Sequence, residues 1–324
     1  IWGAAEMRLC FVVHRYAPYP GGSEVYVQAM AEEAAARGHD VTVHAGTHKG
    51  DLNGIRVTAD PACPAEGHDL VVVHGATPGT PVQVLDRAHA LPAPVLLLMV
   101  AHRLRGIRPR HLDGATWLGW SSPLDRRVAG RRPRWATKLV PVRHGIVPGR
   151  STGAAGFRAR HGIPADRRMF LSCGGYRPNK RMRALARLFR RTPGDALLVT
   201  TGYSDPGGMP RRCDRVLPLM VADRAEMLSA LREADCYLMH SRDEGFGLVL
   251  LEAMLNETPW IARAVGGAPL LTEFGRTYAR DRELAGLIAG FRPDPDRAAR
   301  ARAHVLGHRC IAHTVDDIEA VAAR

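Results

Sequence analysis

Two glutamates, Glu244 and Glu252, lie eight positions apart in the stretch RDEGFGLVLLEAM, on either side of a Gly-Phe-Gly turn. The composition predicts a strand before the turn and a helix after it. A helix start presents free N–H groups to an anion, and a side chain in the second helical turn leans back toward that start. Two carboxylates near such a point suit hydroxyl-rich ligands, such as a ribose and a sugar ring. On spacing alone, two glutamates with no shared role explain the pattern equally well.

Short apolar runs alternate with helical patterns along the whole chain, and they predict the elements that position these glutamates. The apolar runs are continuous, which is typical of parallel strands covered on both faces. The predicted strands are RLCFVVH, DVTVHAG, DLVVVHG, PVLLLMVAH, ATWLGWS and KLVPVRHG in the first half, and MFLSCGG, ALLVTTG, DCYLMHS and PWIARAV in the second. An amphipathic run over Ser23–Arg37, followed by Gly38, predicts a helix.

The stretch 147–165 is rich in glycine, proline and small residues and predicts a linker. We therefore expect an α/β fold with two doubly wound Rossmann-like domains, 7–146 and 166–324, that face each other across a cleft. Ligands of such sheets bind outside the carboxyl ends of the strands.

The positive charge is concentrated in one segment. The net charge is +13, and residues 102–150 contain twelve basic and two acidic side chains. This excess predicts an anionic partner at that surface, although a generally arginine-rich proteome explains it too. The longest apolar run, Val95–Ala101, is too short to span a membrane, and the six cysteines are scattered. These features predict a cytoplasmic protein with reduced thiols.

The stretch SRDEGFGLVLLEAMLNETPWIARAVGG resembles the E-x7-E signature of family 4 of the retaining glycosyltransferases, which have the two-domain GT-B fold. The stretch APYPGGSEVYVQAMAEEAAARGHDVTV is similar to that family's glycine-rich first loop and the helix that follows. VRHGI resembles its interdomain element, with His144 where asparagine is usual. The resemblance covers roughly residues 7–290. It implies metal-independent transfer of a hexose-type sugar from a UDP- or GDP-linked donor to an acceptor hydroxyl, with retention of configuration.

The resemblance also implies roles for particular residues. The counterpart of Glu252 binds ribose hydroxyls, that of Glu244 binds the donor sugar, and Lys180 matches a diphosphate-binding lysine. Gly175 replaces the family's arginine, and we expect Arg177 to take its place. The predicted catalytic residues are His102, Glu244 and Lys180. The predicted donor-binding residues are Gly21, Gly22, Gly174, Arg177, Lys180, Glu244, Gly245, Phe246, Gly247, Leu248 and Glu252.

The arginine-rich segment belongs to the domain that holds the acceptor in this family, and arginines suit phosphates. The predicted acceptor-binding residues are His14, Arg103, Arg105, Arg108, Arg131, Arg132 and Trp135. The expected acceptor is anionic: a phospholipid-linked molecule, a phosphorylated polymer or a modified DNA base. A lipid acceptor would place the protein at the inner face of the membrane.

Several alternatives remain open at this stage. A nucleotide-sugar 2-epimerase shares the expected fold, and a non-catalytic nucleic-acid-binding protein would explain the charge. A neutral small acceptor is compatible with the motifs. The residues His304, His308, Cys310 and His313 suggest either a metal site or a polar helix end. The motifs do not specify the base, the sugar or the oligomeric state.

Overall fold

The computed structural model describes residues 6–19, 21–46, 50–59, 67–75, 80–99, 108–221 and 223–324. The strands in chain order are β1 (Arg8–Val13), β2 (Asp40–Ala45), β3 (Gly50–Leu52), β4 (Ile55–Thr58), β5 (Leu70–His74), β6 (Val95–Leu98), β7 (Trp117–Trp120), β8 (Leu139–Pro141), β9 (Met169–Cys173), β10 (Leu197–Gly202), β11 (Val216–Met220), β12 (Cys236–Met239), β13 (Trp260–Arg263) and β14 (Arg276–Tyr278).

Helices cover the faces of the sheets. In chain order they are α1 (Gly22–Ala36), α2 (Thr80–Asp86), α3 (Pro109–Gly114), α4 (Pro123–Ala129), α5 (Pro133–Ala136), α6 (Phe157–Arg160), α7 (Met182–Arg191), α8 (Arg224–Glu233), α9 (Leu248–Leu255), α10 (Asp281–Ala289), α11 (Pro295–His308) and α12 (Ile311–Ala322). Local sequence explains several of their ends. At the start of α4, for example, the Ser122 hydroxyl accepts a hydrogen bond from the Asp125 N–H, and Pro123 fills the first helical position.

The chain divides into two compact units, residues 1–146 with 309–324, and residues 147–308. The first unit contains a sheet in the order β3-β4-β2-β1-β5-β6-β7-β8, in which only the edge strand β3 is antiparallel among the described strands. Every residue of the central strand β5 is buried, as expected for a parallel strand covered on both faces. The predicted α/β class and the helix near residues 23–37 are therefore confirmed.

The second unit contains a parallel sheet in the order β11-β10-β9-β12-β13-β14. This is the order of a doubly wound Rossmann-like sheet, in which the chain reverses direction between β9 and β12. Phe170 in β9 packs edge-on against Phe189 and Phe291 in the core. The apolar pattern of the sequence did not predict the two edge strands of this sheet, β11 and β14. Pro218 weakens the pattern of β11, and β14 has only three residues.

The units differ from the predicted domain boundaries in two places. Residues 147–165, predicted as a linker, belong to the second unit; Phe157 is fully buried there, and the Arg158 N–H donates to Glu233. Residues 309–324, predicted in the second domain, belong to the first unit. The reason is that α12 packs on α1, where Arg37 forms ion pairs with Asp316 and Glu319.

Candidate active site

The candidate site lies in the second unit, at the carboxyl ends of β9 and β12. These two strands flank the point where the strand order reverses, which is the usual ligand site of such sheets. Gly174 and Lys180 follow β9, and the loop with Glu244 follows β12. The start of α9, which carries Glu252, comes directly after that loop.

Glu244 is a buried carboxylate with a lysine partner. Glu244 is 9% exposed. Its Oε1 accepts hydrogen bonds from Lys180 Nζ at 2.6 Å and from the Ser241 hydroxyl at 2.5 Å. Burial alone would lower the pKa of Lys180, but the charge and hydrogen bond of Glu244 outweigh it and raise that pKa above its usual value. Lys180 is therefore a fixed cation in this site.

Glu252 is the second buried carboxylate, and an arginine is its partner. The residue is 3% exposed, and its Oε1 accepts a hydrogen bond from Arg224 Nη2. Arg224, the first residue of α8, was not predicted from the sequence. A signal for it was present, because Asp223 has the residue type of a helix cap, and its Oδ1 accepts from the Ala225 N–H at 2.9 Å. A helix that starts after β11 places Arg224 at the same sheet edge.

The charges of both glutamates act on buried groups nearby, Cys173 and Tyr237. Burial, together with the charge of Glu252, raises the pKa of the Cys173 thiol to about 12, and the charges of Lys180 and Arg224 oppose this rise. Burial also raises the pKa of Tyr237, and Cys173, Glu244 and Glu252 add to that effect. Such electrostatic effects require proximity. The structure therefore brings the predicted pair and both cations together.

The loop between the glutamates forms the start of α9. Gly247 caps this helix with a φ of +91°, a conformation that favours glycine. Among the described residues, no acceptor takes the N–H groups of Gly247 and Leu248, which leaves two donors at the positive end of the helix. The predicted Gly245 lies in the same loop, ahead of these two donors.

The Phe246 side chain anchors this loop by packing against Gly267. It is buried, and a Cβ on Gly267 would overlap its ring. Gly267 also donates its N–H to the Phe246 carbonyl at 2.7 Å. The Gly266–Gly267 pair therefore shapes the loop that presents Glu244.

We expect Gly267→Ala to lower catalytic efficiency by about 10-fold or more, because the added methyl displaces Phe246 and small displacements of positioned groups are costly. The free energy of unfolding should fall by about 1–3 kcal/mol, as for other overpacked positions. Turnover assays and denaturant titration measure the two effects. Gly207→Ala is the control, since a Cβ there meets no atom within 4 Å. Equal activity of the two variants would contradict this role of Gly267.

The two other predicted donor-binding residues after β9 differ in their placement. Gly174 has a φ of +128°, and a Cβ there would lie 3.4 Å from Lys180 Cε. Gly174 thus lies against the lysine stem. Arg177 is exposed and has no hydrogen bond to either glutamate among the described residues. Arg224, not Arg177, is the arginine that contacts one of them.

In the first unit, Gly21 is the N-cap of α1 and Gly22 is the first residue of this helix. A Cβ on Gly21 would overlap the carboxylate of Glu24, which therefore lies over the helix start. A diphosphate at this position would have to displace that carboxylate. His14 follows β1 and is half-buried. His102, Arg103 and Arg105 lie outside the described residues.

The basic segment contains both exposed and engaged side chains. The predicted Arg108, Arg131 and Arg132 are exposed. Trp135 was predicted as a surface aromatic, and this is wrong: it is 6% exposed, packs in the core and donates its Nε1–H to Asp113 at 2.7 Å. Its apolar ring fills the space beneath α5, and Arg132 lies over it at 4.9 Å from the centroid.

His144 and His74 lie together in the interior of the first unit. The His144 ring stacks on the Tyr26 ring with 4.7 Å between the ring centroids, and the Tyr26 and His74 ring centroids are 5.4 Å apart. Burial lowers the pKa of His74 to about 4. Burial, His74 and Arg309 together lower the pKa of His144 to about 3. Both imidazoles are therefore neutral at pH 7.

The two buried histidines predict that the folded protein loses stability in acid. Because their folded-state pKa values lie below the unfolded value near 6.5, the unfolded chain binds more protons in acid. Stability is therefore complete above about pH 6.5 and falls by on the order of 2–3 kcal/mol per histidine toward pH 4. Denaturant titrations of His144→Asn between pH 7 and 4 should show a shallower loss than the wild type. His89→Gln, at an exposed position, should match the wild type, and equal slopes for all three would contradict the prediction.

The described residues include no group of three or more His, Cys, Asp or Glu that could hold a metal ion. His304, from the alternative metal site, stacks on Phe274 at 4.5 Å, and His313 Nδ1 accepts from the Cys310 N–H at 3.2 Å. These contacts favour the helix-end alternative. Within the described part of the chain, no helix has the length and apolarity needed to cross a membrane.

Comparison with known proteins gives a partial match in sequence and a full-length match in fold. Residues 214–301 match the family model for glycosyl transferases group 1, a stretch that includes Arg224 and both glutamates. The D-inositol 3-phosphate glycosyltransferases of Mycobacterium bovis and Mycobacterium tuberculosis are 32% identical over 131 residues, 37% of this chain. The match spans 27% of the length of these relatives.

Solved structures resemble nearly the whole chain in fold, and two of them illustrate this. Sucrose-phosphate synthase from Thermosynechococcus elongatus has a TM-score of 0.77 at 19% identity and covers 98% of both chains. HepE of Anabaena in complex with UDP and glucose has a TM-score of 0.77 at 17% identity and covers 98% of this chain and 100% of its own. The chain therefore has an α/β fold with two Rossmann-like sheets, as in GT-B glycosyltransferases.

Proposed function

We propose that the chain is a retaining glycosyltransferase that moves a hexose-type sugar from a nucleotide diphosphate sugar to an acceptor hydroxyl. The observation that carries this proposal is the pair of buried carboxylates, Glu244 and Glu252, at the switch point of the second sheet. Each has a cationic partner, and both lie in the stretch that matches the glycosyltransferase family model.

Each part of the proposed donor has protein groups in this site that can bind it. Glu252 accepts hydrogen bonds from the ribose hydroxyls, and Glu244 accepts from hydroxyls of the donor sugar. The diphosphate lies between them, where Lys180 Nζ and the N–H groups of Gly247 and Leu248 are the donors. The UDP- and GDP-linked hexoses are the donors that we expect.

The chemistry requires stabilisation of a leaving diphosphate. The bond between the anomeric carbon and the diphosphate oxygen breaks, and the acceptor oxygen bonds to the same face of that carbon. The acceptor proton passes to the leaving diphosphate. Lys180 and the two amide groups stabilise the charge that grows on the diphosphate, and they are already oriented before reaction. The proposal includes no divalent metal.

We further propose that the acceptor is anionic. Four arginines of α4 and the loop after it, Arg126, Arg127, Arg131 and Arg132, are exposed and have no carboxylate partner among the described residues. Other cations of the segment are engaged: Arg110 pairs with Asp86, and Lys138 Nζ donates to carbonyls near the end of α3. Phospholipid-linked molecules, phosphorylated polymers and DNA with a modified base all offer phosphates to such a surface.

A donor screen tests the proposed function. Wild-type protein is incubated with UDP-, GDP- and dTDP-hexoses, and thermal stabilisation and release of nucleoside diphosphate are measured. A true donor at 100 times its dissociation constant stabilises the fold by about 2.7 kcal/mol. NMR of the product shows whether the anomeric configuration is retained, and EDTA tests the metal requirement. Absence of stabilisation by every donor would overturn the proposal, and conversion of the donor into its 2-epimer would indicate an epimerase.

A binding series tests the acceptor class. Arg131→Gln/Arg132→Gln should weaken binding to anionic vesicles, to a phosphorylated polymer or to DNA, and the affected ligand identifies the source. Arg187→Gln/Arg190→Gln, which removes two exposed arginines of α7, is the matched control. Binding should weaken steeply with salt. Equal binding by both double variants would overturn the anionic acceptor.

A further inference from the structure

Among the described residues, Arg224 is the one whose side chain donates a hydrogen bond to the Glu252 carboxylate. Its Nη2 donates to Glu252 Oε1, whereas no described residue donates a hydrogen bond to Oε2. The carboxylate is almost completely buried, and the guanidinium is about one-third exposed. One oxygen of Glu252 is thus occupied from within the protein and the other is available.

The position of Arg224 at a helix start is unfavourable for a positively charged side chain. It is the first residue of α8, and a cation at a helix start faces the positive end of the helix dipole. Asp223 caps this helix and thereby fixes the backbone of its neighbour. The Arg224 Nη2 also lies 3.4 Å from the Ser151 hydroxyl. A residue in such a place has a compensating tertiary role, and the ion pair with Glu252 supplies it.

We propose that Arg224 is a positioning residue of the nucleotide site, which orients Glu252 so that Oε2 meets the ribose 2′-hydroxyl. This role rests on the function proposed above. The physical reason is that a buried carboxylate without a counter-charge favours its neutral form or turns toward water. The planar guanidinium prevents both changes, because it provides charge and direction together.

A direct phosphate contact by Arg224 is the competing role, and the two roles differ in the part of the nucleotide that they affect. A residue that acts by orienting Glu252 toward the 2′-hydroxyl affects only ligands that carry this hydroxyl, which the 2′-deoxy forms lack. A residue that contacts the diphosphate affects ribo- and deoxyribonucleotides equally. Comparison of UDP with 2′-deoxy-UDP, and of GDP with 2′-deoxy-GDP, therefore separates them.

The experiment is calorimetric binding of these four nucleotides to the wild type, Arg224→Gln, Arg224→Lys and Glu252→Gln. For the preferred base, the wild type should bind the ribonucleotide about 10-fold or more tightly than its deoxy form, the size expected for a hydrogen bond to a charged group. Arg224→Gln should reduce this preference to about twofold and leave deoxy affinity nearly unchanged. Arg224→Lys should restore part of it, and Arg224→Gln/Glu252→Gln should lose no more than Glu252→Gln alone.

Arg187→Gln is the control for loss of an arginine, and melting temperatures confirm that each variant is folded. Equal weakening of both members of a pair in Arg224→Gln would overturn the positioning role in favour of a phosphate contact. An unchanged ribose preference would overturn it as well. Failure of the wild type to bind any of the nucleotides would instead overturn the proposed function, and the role of Arg224 with it.

Discussion

Lys180→Gln is expected to lower the rate of glycosyl transfer by about 100- to 1000-fold, the range seen when one fixed donor to a developing oxyanion is removed. The substitution should also lower the free energy of unfolding by about 2 kcal/mol, because Glu244 stays buried without its counter-charge. The expected cost is smaller than for a fully buried pair, since Lys180 keeps some contact with water. Turnover of the identified donor and denaturant titration measure the two effects.

A double substitution separates catalysis from stability. Lys180→Gln/Glu244→Gln removes both charges and should regain most of the lost stability, while activity stays low. Because the folded-state pKa of Lys180 is raised, its contribution to stability is complete at neutral pH and is lost only as the pH rises through that value. Arg187→Gln, on the exposed side of α7, should resemble the wild type. Wild-type turnover in Lys180→Gln would remove the lysine from the mechanism.

Glu252→Gln is expected to weaken binding of the nucleotide donor by about 10- to 100-fold, since the ribose hydroxyls lose a charged acceptor. The fold should be almost unaffected, because the glutamine oxygen can still accept from Arg224 and the arginine is partly exposed. Donor titrations by calorimetry measure the change in affinity. A melting curve of the same variant shows whether the fold is intact.

The matched control is Glu257→Gln, just after the end of the same helix. Glu257 is exposed, and its ion pair with Arg302 has a distance of 3.7 Å, so its loss should cost little. Donor affinity should therefore equal that of the wild type. If Glu252→Gln and Glu257→Gln bind the donor equally well, Glu252 does not contact the ribose and the site must lie elsewhere.

The class of fold could be predicted from local sequence patterns, and the solved structures of similar fold confirm it. Continuous apolar runs marked central strands such as β5 and β9, because a strand buried on both faces tolerates few polar residues. The glycine turn before an apolar helix indicated the exit of β12, and Glu244 and Glu252 lie on either side of this turn in the structure. These are local patterns, which depend on residues a few positions apart.

Which side chains form ion pairs depends on the tertiary structure and could not be predicted from local sequence patterns. Lys180 and Glu244 are 64 positions apart, Arg224 and Glu252 are 28 apart, and Arg37 and Glu319 are 282 apart. The last pair places α12 in the first unit, against the predicted boundary. Burial was equally hidden: Trp135, in an arginine-rich stretch, was predicted at the surface but lies in the core. An ion pair or a buried ring depends on where distant segments pack, and no periodicity of the local sequence records that.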